Sequence, residues 1–417
     1  MKTQTTMRRA AWAVLAAASG TAAIAASSSS MSGGAAVADP LERPALAQRK
    51  PERAVLLGAA LAGKRVVAVG ERGLVALSDD DGATWRQARR VPVSVTLTVV
   101  KFASASEGWA AGHGGVVLRT ADGGETWVRQ LDGVQAARLA LQRAEALLRD
   151  SADAPPGTGT APPGKGAARR GPSRADALRL VADAQRMVSD GADKPIFDLD
   201  VDDGRVVAAG AYGLLMASLD GGAHWESWID RADNPKALHL YSVRSHGGAL
   251  RLAGEQGILL DSAVSGARFT RTATPYGGSW FTLAPQGGGV LMAGLRGTAY
   301  RYGGGTGISD VGIAGRGGGV PAWTRLEGLP PMSVTTSAAA DDGCTLLANQ
   351  AGQVFAVDAG GTGVTLLALA PMPAVTSLAR AANGAWLALT MQGVFRLGRL
   401  EQACTSHQQR KAAEHHE

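Results

Sequence analysis

Short apolar runs separated by glycine-containing turns recur along most of the chain. One copy has an apolar segment at 66–69, a G-x-x-G turn at 70–73 and a second apolar segment at 74–77. Runs of about five apolar or alternating residues between such turns are typical of strands rather than helices. The pattern therefore predicts pairs of strands that are joined by G-x-x-G turns.

The turn recurs seven times, and its last glycine marks each copy. These glycines are Gly73, Gly115, Gly213, Gly257, Gly297, Gly352 and Gly393. Most of the spacings between them are about 40 to 44 residues, and the two longer ones contain insertions. A period near 40 to 45 residues with about four strands per unit is the signature of a β-propeller. The predicted fold is therefore all-β, a seven-bladed β-propeller.

Two repeats carry further predictions. In the sixth and seventh turns, Asn349 and Thr390 replace the first glycine. Asn tolerates the left-handed backbone conformation that such a turn can need, whereas Thr does so poorly, so the last turn is expected to differ. The seventh repeat shows only three clear strands between residues 375 and 400. Residues 41–47 are predicted to supply the missing outer strand and close the ring, because an open propeller would leave two strand edges unpaired.

A second motif, S/T-x-D-x-G-x-x-W, follows the turn in three repeats. Its residues are Ser78, Asp80, Gly82 and Trp85; Thr120, Asp122, Gly124 and Trp127; and Ser218, Asp220, Gly222 and Trp225. A decayed fourth copy lies at 262–269. The Asp can accept hydrogen bonds from the turn's own N–H groups, the Gly permits unusual φ angles, and the aromatic ring can be buried between sheets. This pattern is the Asp-box, and we interpret its Asp as structural rather than catalytic.

Two insertions interrupt the repeats. Residues 131–195, between blades 2 and 3, have a helical pattern around a Pro/Gly/Ala-rich centre at 154–172, and a Gly-rich loop occupies 303–320. The helical pattern rests on Val134, Leu139, Leu141, Leu147, Leu148, Leu178, Leu180, Val181 and Val188. The predicted organisation is a signal peptide at 1–38, blades 1 and 2 with the closing strand at 39–130, the helical insertion at 131–195, blades 3 to 7 at 196–400, and a polar tail at 401–417.

The N-terminus has the form of a secretory signal. Lys2, Arg8 and Arg9 precede an Ala-rich apolar segment at 10–26, and an A-x-A cleavage site ends at Ala38. The sequence therefore predicts a soluble protein that is periplasmic or otherwise exported, by either the general or the twin-arginine route. We expect it to be a monomer. The formal charge is +6, and it falls to +3 without those three residues, which is too little to indicate nucleic-acid binding.

The sequence offers little material for a metal or cofactor site, and we expect neither. It contains only two cysteines, Cys344 and Cys404. In an oxidising compartment they could form a disulfide that ties the C-terminal segment to the sixth repeat, or they could remain free thiols. The spacing does not decide between the two.

The motifs together resemble the photosystem II stability/assembly factor family of propellers. The resemblance rests on the export signal, the G-x-x-G turns, the Asp-boxes and a GWAAG strand at 108–112. It covers roughly residues 52–400 and is clearest at 66–130 and 196–228. In photosynthetic members it implies an assembly chaperone that docks on a new reaction-centre protein through an arginine-lined face. Look-alikes in heterotrophic bacteria, often near exporters of the resistance-nodulation-division type, have an unknown role. The insertion favours that second group, with a membrane protein or exporter component as the partner.

Strand order predicts where a partner would bind. In a blade with strands A to D, the B–C turn and the connection to the next blade emerge on one face, which places the G-x-x-G turns and the helical insertion together. The candidate partner-binding residues are Arg72, His113, Tyr212, Gln256, Arg296 and Gln392. Arg and Tyr are favoured at interfaces. The alternative is that these side chains are only solvated turn tips.

The rival function is that of a glycosidase of the sialidase-like propeller type, because Asp-boxes also occur in sialidases. That resemblance implies a Tyr nucleophile with a Glu partner, an Asp acid and three arginines that hold a carboxylate. The chain has only five tyrosines, and it lacks the Phe/Tyr-Arg-Ile-Pro motif that begins sialidases. A central pocket with two carboxylates about 5 to 9 Å apart would favour this alternative. We expect a docking protein rather than an enzyme.

Overall fold

The computed structural model describes residues 38–152, 172–263, 266–303, 322–340, 343–361 and 363–400. The predicted signal peptide up to residue 37, most of the Pro/Gly/Ala-rich centre of the insertion, nearly all of the 303–320 loop and the 401–417 tail lie outside these residues. Within them the chain forms seven antiparallel sheets and two α-helices. This propeller-like, all-β architecture agrees with the prediction.

Each sheet is a meander of consecutive strands. The first three contain β1 (Leu56–Ala62), β2 (Arg65–Gly70), β3 (Val75–Ser78) and β4 (Arg86–Gln87); β5 (Leu97–Phe102), β6 (Gly108–Gly112), β7 (Val117–Thr120) and β8 (Val128–Leu131); and β9 (Ile196–Asp202), β10 (Arg205–Gly210), β11 (Leu215–Ser218) and β12 (Glu226–Ser227). The fourth and fifth contain β13 (Leu240–His246), β14 (Ala249–Gly254), β15 (Leu259–Ala263) and β16 (Thr270–Arg271); and β17 (Trp280–Gln286), β18 (Gly289–Gly294), β19 (Ala299–Gly303) and β20 (Ala322–Arg325). The last two contain β21 (Val334–Ala339), β22 (Thr345–Asn349), β23 (Val354–Val357) and β24 (Val364–Leu366); and β25 (Val375–Arg380), β26 (Trp386–Thr390) and β27 (Gly393–Gly398).

The second and third strands of most sheets are buried on both faces, which explains their continuous apolar runs. In β2, Val66, Val67 and Val69 are all fully buried. One core cluster joins Val67 of the first sheet to Trp127 of the second, and similar clusters join other neighbouring sheets. The core is therefore a series of layers between sheets rather than one central mass.

The first strands contact one another in cyclic order. Each of β1, β5, β9, β13, β17, β21 and β25 contacts the next, and β25 contacts β1. The Thr376 hydroxyl of β25 donates a hydrogen bond to the carbonyl of Leu56 in β1. Trp85 of the first sheet also packs beside Leu389 of the seventh. The seventh sheet therefore lies against the first.

The prediction that residues 41–47 form the outer strand of the seventh sheet was wrong. That sheet has three strands among the described residues, and residues 41–47 contain no strand. Leu41 and Ala45 pack instead on the core between the first two sheets, and the Ala45 N–H donates to the carbonyl of Val91. The first and seventh sheets are therefore joined by contact between β1 and β25, and not by an N-terminal strand added to the seventh sheet.

The insertion contains two helices that pack through alanines. They are α1 (Gly133–Ala152) and α2 (Arg174–Asp190), and they contact each other. Their shared cluster is built on Ala140, Ala144 and Ala184. The predicted apolar pattern is only partly buried, because Val134, Leu178 and Val188 are exposed. Small residues allow a close approach of the two helices, and a pattern based on large apolar residues overlooks them.

Candidate docking surface

Five turns of one form follow the second strand of the first five sheets. They are 3-10 turns at Glu71–Gly73, His113–Gly115, Ala211–Gly213, Glu255–Gly257 and Leu295–Gly297. Because each turn joins a second strand to a third, all lie at the same end of their sheets. The turns of the sixth and seventh sheets, with Gln350 and Gln392, lie at that end too. We call this side of the molecule the turn face.

The middle residue of each 3-10 turn has a left-handed backbone conformation. Its φ is 54° at Arg72, 68° at Gly114, 53° at Tyr212, 50° at Gln256 and 58° at Arg296. Glycine adopts this conformation freely, whereas a residue with a Cβ atom is held there at a cost of about 1–2 kcal/mol. Gly114 shows that glycine fits the turn. Four of the five turns nevertheless have a large side chain at this position.

The first glycine of each turn is needed for close packing and not for a left-handed conformation, contrary to the prediction. Gly70 is extended, with φ of −168°, and a Cβ atom there would lie 2.0 Å from the carbonyl oxygen of Val55. At Gly254 the corresponding distance, to the carbonyl oxygen of His239, is 1.9 Å. The turn therefore lies directly on the backbone that leads into the first strand of its own sheet.

The last two turns differ from the first five. Asn349 Oδ1 accepts hydrogen bonds from the N–H groups of Ala351 and Gln353, each 3.0 Å long. Thr390 Oγ1 accepts from the Gln392 N–H at 3.0 Å and donates to the Gly393 carbonyl at 2.8 Å. Neither segment is a 3-10 turn. A side chain that bonds to the turn backbone takes the place of the first glycine in both sheets, whereas a difference was expected only at Thr390.

All six candidate partner-binding residues lie exposed on the turn face. They are Arg72, His113, Tyr212, Gln256, Arg296 and Gln392. Tyr212 is the large hydrophobic side chain of the set, and 59% of its surface is accessible. The structure therefore places these side chains around one end of the ring of sheets, one on each of six turns.

Sequence reasoning missed a second group of side chains on this face. Phe197, Tyr241 and Phe281 are the second residues of β9, β13 and β17, and each is partly exposed. The ring centroids of Phe197 and Tyr241 are 5.2 Å apart, and those of Tyr241 and Phe281 are 5.3 Å apart. We call these three residues the aromatic row. The three residues are neighbours because β9 contacts β13 and β13 contacts β17.

His239 connects the aromatic row to the tip of the third turn. Its ring centroid lies 6.0 Å from that of Tyr241 and 4.8 Å from that of Tyr212. The Tyr212 N–H donates to His239 Nδ1 at 2.7 Å. Burial raises the pKa of the Tyr241 hydroxyl, and the nearby Glu255 carboxylate adds to the effect. Tyr241 is therefore neutral at physiological pH and acts as an aromatic ring with a polar end.

Several positive charges on the turn face have no partner in the part of the chain that the structure describes. Among the residues that the structure describes, no hydrogen bond or ion pair involves the side chains of Arg72, Lys236 or Arg296. Lys194 differs, because its ammonium group donates to Asp190 at 2.9 Å and to Asp193 at 2.5 Å, and lies 5.1 Å from the Tyr212 ring centroid. The unpaired charges favour contact with an acidic group.

The helical insertion borders the turn face. Helix α1 contacts the His113–Gly115 turn, and a Cβ atom at Gly115 would lie 2.7 Å from the Cα atom of Gly133. On the outer side, Arg143 of α1 forms an ion pair with Asp230 at 2.8 Å. The insertion is thus attached to the second and third sheets beside their turns, as the strand order predicted.

The three Asp motifs form self-bonded turns on the opposite side of the sheets. In the first, the Ser78 hydroxyl donates to Asp80 Oδ1 at 2.9 Å, and the Thr84 N–H donates to the same oxygen at 2.8 Å. The Gly82 N–H donates to Ser78 Oγ at 2.8 Å, and the Trp85 indole N–H donates to the Gly82 carbonyl at 3.2 Å. The second and third motifs repeat the Ser/Thr–Asp and Asp–backbone bonds.

These bonds shift the carboxylates towards the charged form. Hydrogen bonds from Thr84 and Ser78 lower the pKa of Asp80 to about 2. Those from His224 and Ser218 lower the pKa of Asp220 to about 2. A carboxylate that is ionised and already saturated by its own turn holds the turn in place and is unsuited to donate a proton at neutral pH.

Three further findings bear on the chemistry of the chain. No cluster of potential metal ligands occurs among the described residues. None of the helices described has the length and apolar character required to cross a membrane. Cys344 is disulfide-bonded, and Cys404, the other cysteine of the sequence, lies outside the described residues.

Comparison with known proteins identifies similar folds only. No protein-family model matches the chain, and no curated protein matches it. Among solved structures, YCF48 from Cyanidioschyzon merolae has a TM-score of 0.57 and 16% identity, and covers 84% of this chain and 97% of its own. A structure of YCF48 bound to D1 peptide has a TM-score of 0.54, 14% identity and the same coverage. The WD40 propeller domain of Doa1 has a TM-score of 0.52 and 10% identity, and covers 86% of this chain and 95% of its own. At such low identities the likeness shows a shared β-propeller fold.

Proposed function

We propose that this chain is an exported, seven-bladed propeller with Asp-box turns, which docks through its turn face on a membrane protein complex and assists its assembly. It acts as a monomer and without a cofactor or catalysis of its own. Its partner is a protein, either a membrane protein or a component of an exporter.

One observation carries this proposal: exposed large side chains occupy left-handed positions in four turns. Arg72, Tyr212 and Arg296 stand where Gly114 shows that glycine suffices. A residue kept in an unfavourable conformation without a structural need points to a role for its side chain. Because all of them face solvent at the same end of the sheets, that role is best served by a macromolecule that spans several turns.

The fold comparisons support the same function. YCF48 is solved with a D1 peptide, so a propeller of this shape binds a peptide in at least one similar protein. The present chain shares that fold at low identity, and the arginines Arg72 and Arg296 on its turn face have no partner among the residues described by the structure. We transfer to it the general role of docking on a protein, and we base the site on its own residues.

The acidic side chains between the first two sheets favour docking over a glycosidase. A depression of about 450 Å³ there is lined by Asp79 and Asp122. Arg65 donates to Asp79 at 2.5 Å and lowers its pKa. Burial raises the pKa of Asp122, but the hydrogen bonds from Thr126 and Thr120 outweigh this effect, so the pKa lies below its usual value. A glycosidase acid requires a raised pKa, so this pair does not fit that role.

Replacing Arg72, Tyr212 and Arg296 together by glycine should abolish docking without weakening the fold. Glycine relieves the left-handed backbone but adds flexibility to the unfolded chain, so the free energy of unfolding should stay level or rise by up to about 1 kcal/mol per site. The measurement is a crosslinking pull-down from native membranes with mass spectrometry, beside urea denaturation of the purified proteins.

Asp203→Gly provides the matched control. Asp203 is exposed and left-handed, with φ of 44°, but it lies in the turn between β9 and β10 on the opposite side of the sheets. This variant should still capture the membrane partner. Capture of the same partner by both the triple variant and the wild type would contradict the proposed docking face. Glycan turnover by the purified chain would favour the alternative function, that of a glycosidase.

A further inference from the structure

A β-bulge occurs near the start of the first strand in all seven sheets. The pairing of the first and second strands skips one residue, the second of the first strand, each time. The skipped residues are Leu57, Thr98, Phe197, Tyr241, Phe281, Thr335 and Thr376, and each is partly exposed. They lie at the end of the sheet next to the turn face, because the register there pairs Leu56 with Gly70. The bulge thus places one side chain from each sheet around the axis of the ring.

Three of these positions have the same structural bond. The hydroxyl of Thr98 donates to the carbonyl of Ile196 in the next sheet at 2.7 Å. Thr335 donates to Val375 at 2.6 Å, and Thr376 donates to Leu56. In each case the hydroxyl is also within 3.2 Å of a carbonyl in its own second strand. Threonine therefore meets the needs of the fold at this position.

The aromatic row replaces threonine in three consecutive sheets. Phe197 and Phe281 have no hydroxyl group, so they cannot make the bond that Thr98 makes. Their rings contact the neighbouring ring of the row instead, at 5.2 and 5.3 Å from Tyr241. The fold does not require aromatic residues here, yet three adjacent, partly exposed ones occur. A patch of this kind on one sector indicates a binding site.

The charges around the row determine which partner would fit. Arg296 lies on the turn of the fifth sheet, and Lys236 lies in the connection that packs on Gly213 of the third. Neither has a partner among the described residues. The acidic groups nearby are engaged, since Glu255 accepts from the His239 N–H at 2.9 Å and Asp190 pairs with Lys194. An apolar patch between unpaired cations is complementary to an apolar group with a carboxylate next to it.

We propose that Phe197, Tyr241 and Phe281 bind one large apolar side chain of an extended peptide segment, and that Arg296 and Lys236 bind a carboxylate within a few residues of it. The inference deepens the proposed docking function and rests on it. It specifies the sector formed by the third, fourth and fifth sheets, and it requires an aromatic or leucine residue as well as an acidic one. Arginines alone would accept any acidic peptide.

The test uses dye-labelled hexapeptides of glycine and serine, and fluorescence anisotropy with the full chain. Each peptide contains one tryptophan, leucine or alanine and, two residues later, one aspartate or asparagine. The tryptophan–aspartate peptide should bind at least about tenfold more tightly than the alanine–aspartate peptide, because a large apolar side chain becomes buried. Aspartate should improve binding over asparagine about two- to fivefold, and the double variant Arg296→Gln/Lys236→Gln should remove that difference.

The variant Phe197→Thr/Tyr241→Thr/Phe281→Thr copies the residue found in the second, sixth and seventh sheets. It should fold, because the threonine at the equivalent position of those sheets donates a hydrogen bond to a carbonyl of the next sheet. It should also lose the preference for tryptophan. Tyr241→Leu, which copies Leu57 of the first sheet, is a milder second variant. It should weaken binding of the tryptophan–aspartate peptide about threefold or more. Thr335→Ser, outside the sector, should bind like the wild type.

Equal binding of the tryptophan and alanine peptides, or a triple variant that binds like the wild type, would overturn the inference. The proposed docking function would survive that result if native membranes still yielded a partner whose capture depends on the turns. Loss of that partner in the triple threonine variant, together with loss of the tryptophan preference, would support both.

Discussion

Replacement of Trp127 by alanine is expected to lower the free energy of unfolding by about 3–5 kcal/mol, the range for deletion of a fully buried large aromatic side chain. Trp127 is only 2% exposed. It belongs to the core cluster between the first two sheets and meets Phe102 edge to face, with ring centroids 6.3 Å apart. Its indole N–H donates to the Gly124 carbonyl at 2.8 Å. Alanine would leave a cavity and an unpaired carbonyl between two sheets.

Trp85→Ala is the matched control, because Trp85 has the same place in the first Asp motif. Its indole N–H also donates to a glycine carbonyl, at 3.2 Å, but the side chain is only half-buried. We expect a loss of about 1–2 kcal/mol, in proportion to the smaller buried area. Both values come from urea denaturation followed by circular dichroism. Equal losses would mean that the motif stabilises the fold through its hydrogen bonds rather than through burial of the ring.

The repeats made most of the fold predictable from the sequence. The G-x-x-G turns and Asp motifs have fixed places relative to the strands, so that their spacing fixes the order of the strands in each sheet. The second repeat illustrates this, because its G-x-x-G turn at 112–115 joins β6 to β7 and its Asp motif at 120–127 joins β7 to β8. The placement of the candidate docking residues follows from the same order, because every turn after a second strand emerges at one end of its sheet.

The rest depends on contacts between distant residues. The aromatic row was missed because a bulge shifts the register by one residue, and the sequence of a first strand does not show where that shift occurs. Phe197, Tyr241 and Phe281 therefore looked like ordinary strand residues. Residues 41–47 were assigned to the wrong sheet for a related reason. A short apolar segment near the N-terminus could pack on any adjacent sheet. Its place between the first two sheets is set by the hydrogen bond to the carbonyl of Val91 and by the core on which it packs.

The two sides of the sheets have different requirements. On the side of the Asp motifs, hydrogen bonds within each turn satisfy the polar groups and leave few of them available to a partner. On the turn face, backbone packing determines the glycines, while the middle residue of each turn and the bulge residue of each first strand are free to vary. Arg72, Tyr212 and Gln256 differ from one another for this reason, and so do Thr98 and Tyr241. Variation at structurally equivalent positions is what recognition of an asymmetric partner requires.

The largest backbone effect is expected at the last glycine of a turn, and Gly297→Ala should lower the free energy of unfolding by at least about 3 kcal/mol. Gly297 is left-handed, with φ of 68°, and a Cβ atom there would lie 1.9 Å from the carbonyl oxygen of Pro330. Because that carbonyl belongs to the backbone that leads into the sixth sheet, the clash cannot be relieved by moving a side chain. The measurement is again urea denaturation.

Gly204→Ala separates the clash from the backbone conformation. Gly204 is also left-handed, with φ of 75°, but a Cβ atom there would have no neighbour within 4 Å. This variant should lose only about 1–2 kcal/mol, the cost of the left-handed conformation itself. If both variants lost the same amount, the contact between turn and connection would contribute nothing to stability. A larger loss at Gly297 would show that the turns are held by the next sheet. The candidate docking residue Arg296 would then owe its position to that contact, and Gly297→Ala should weaken partner capture as well.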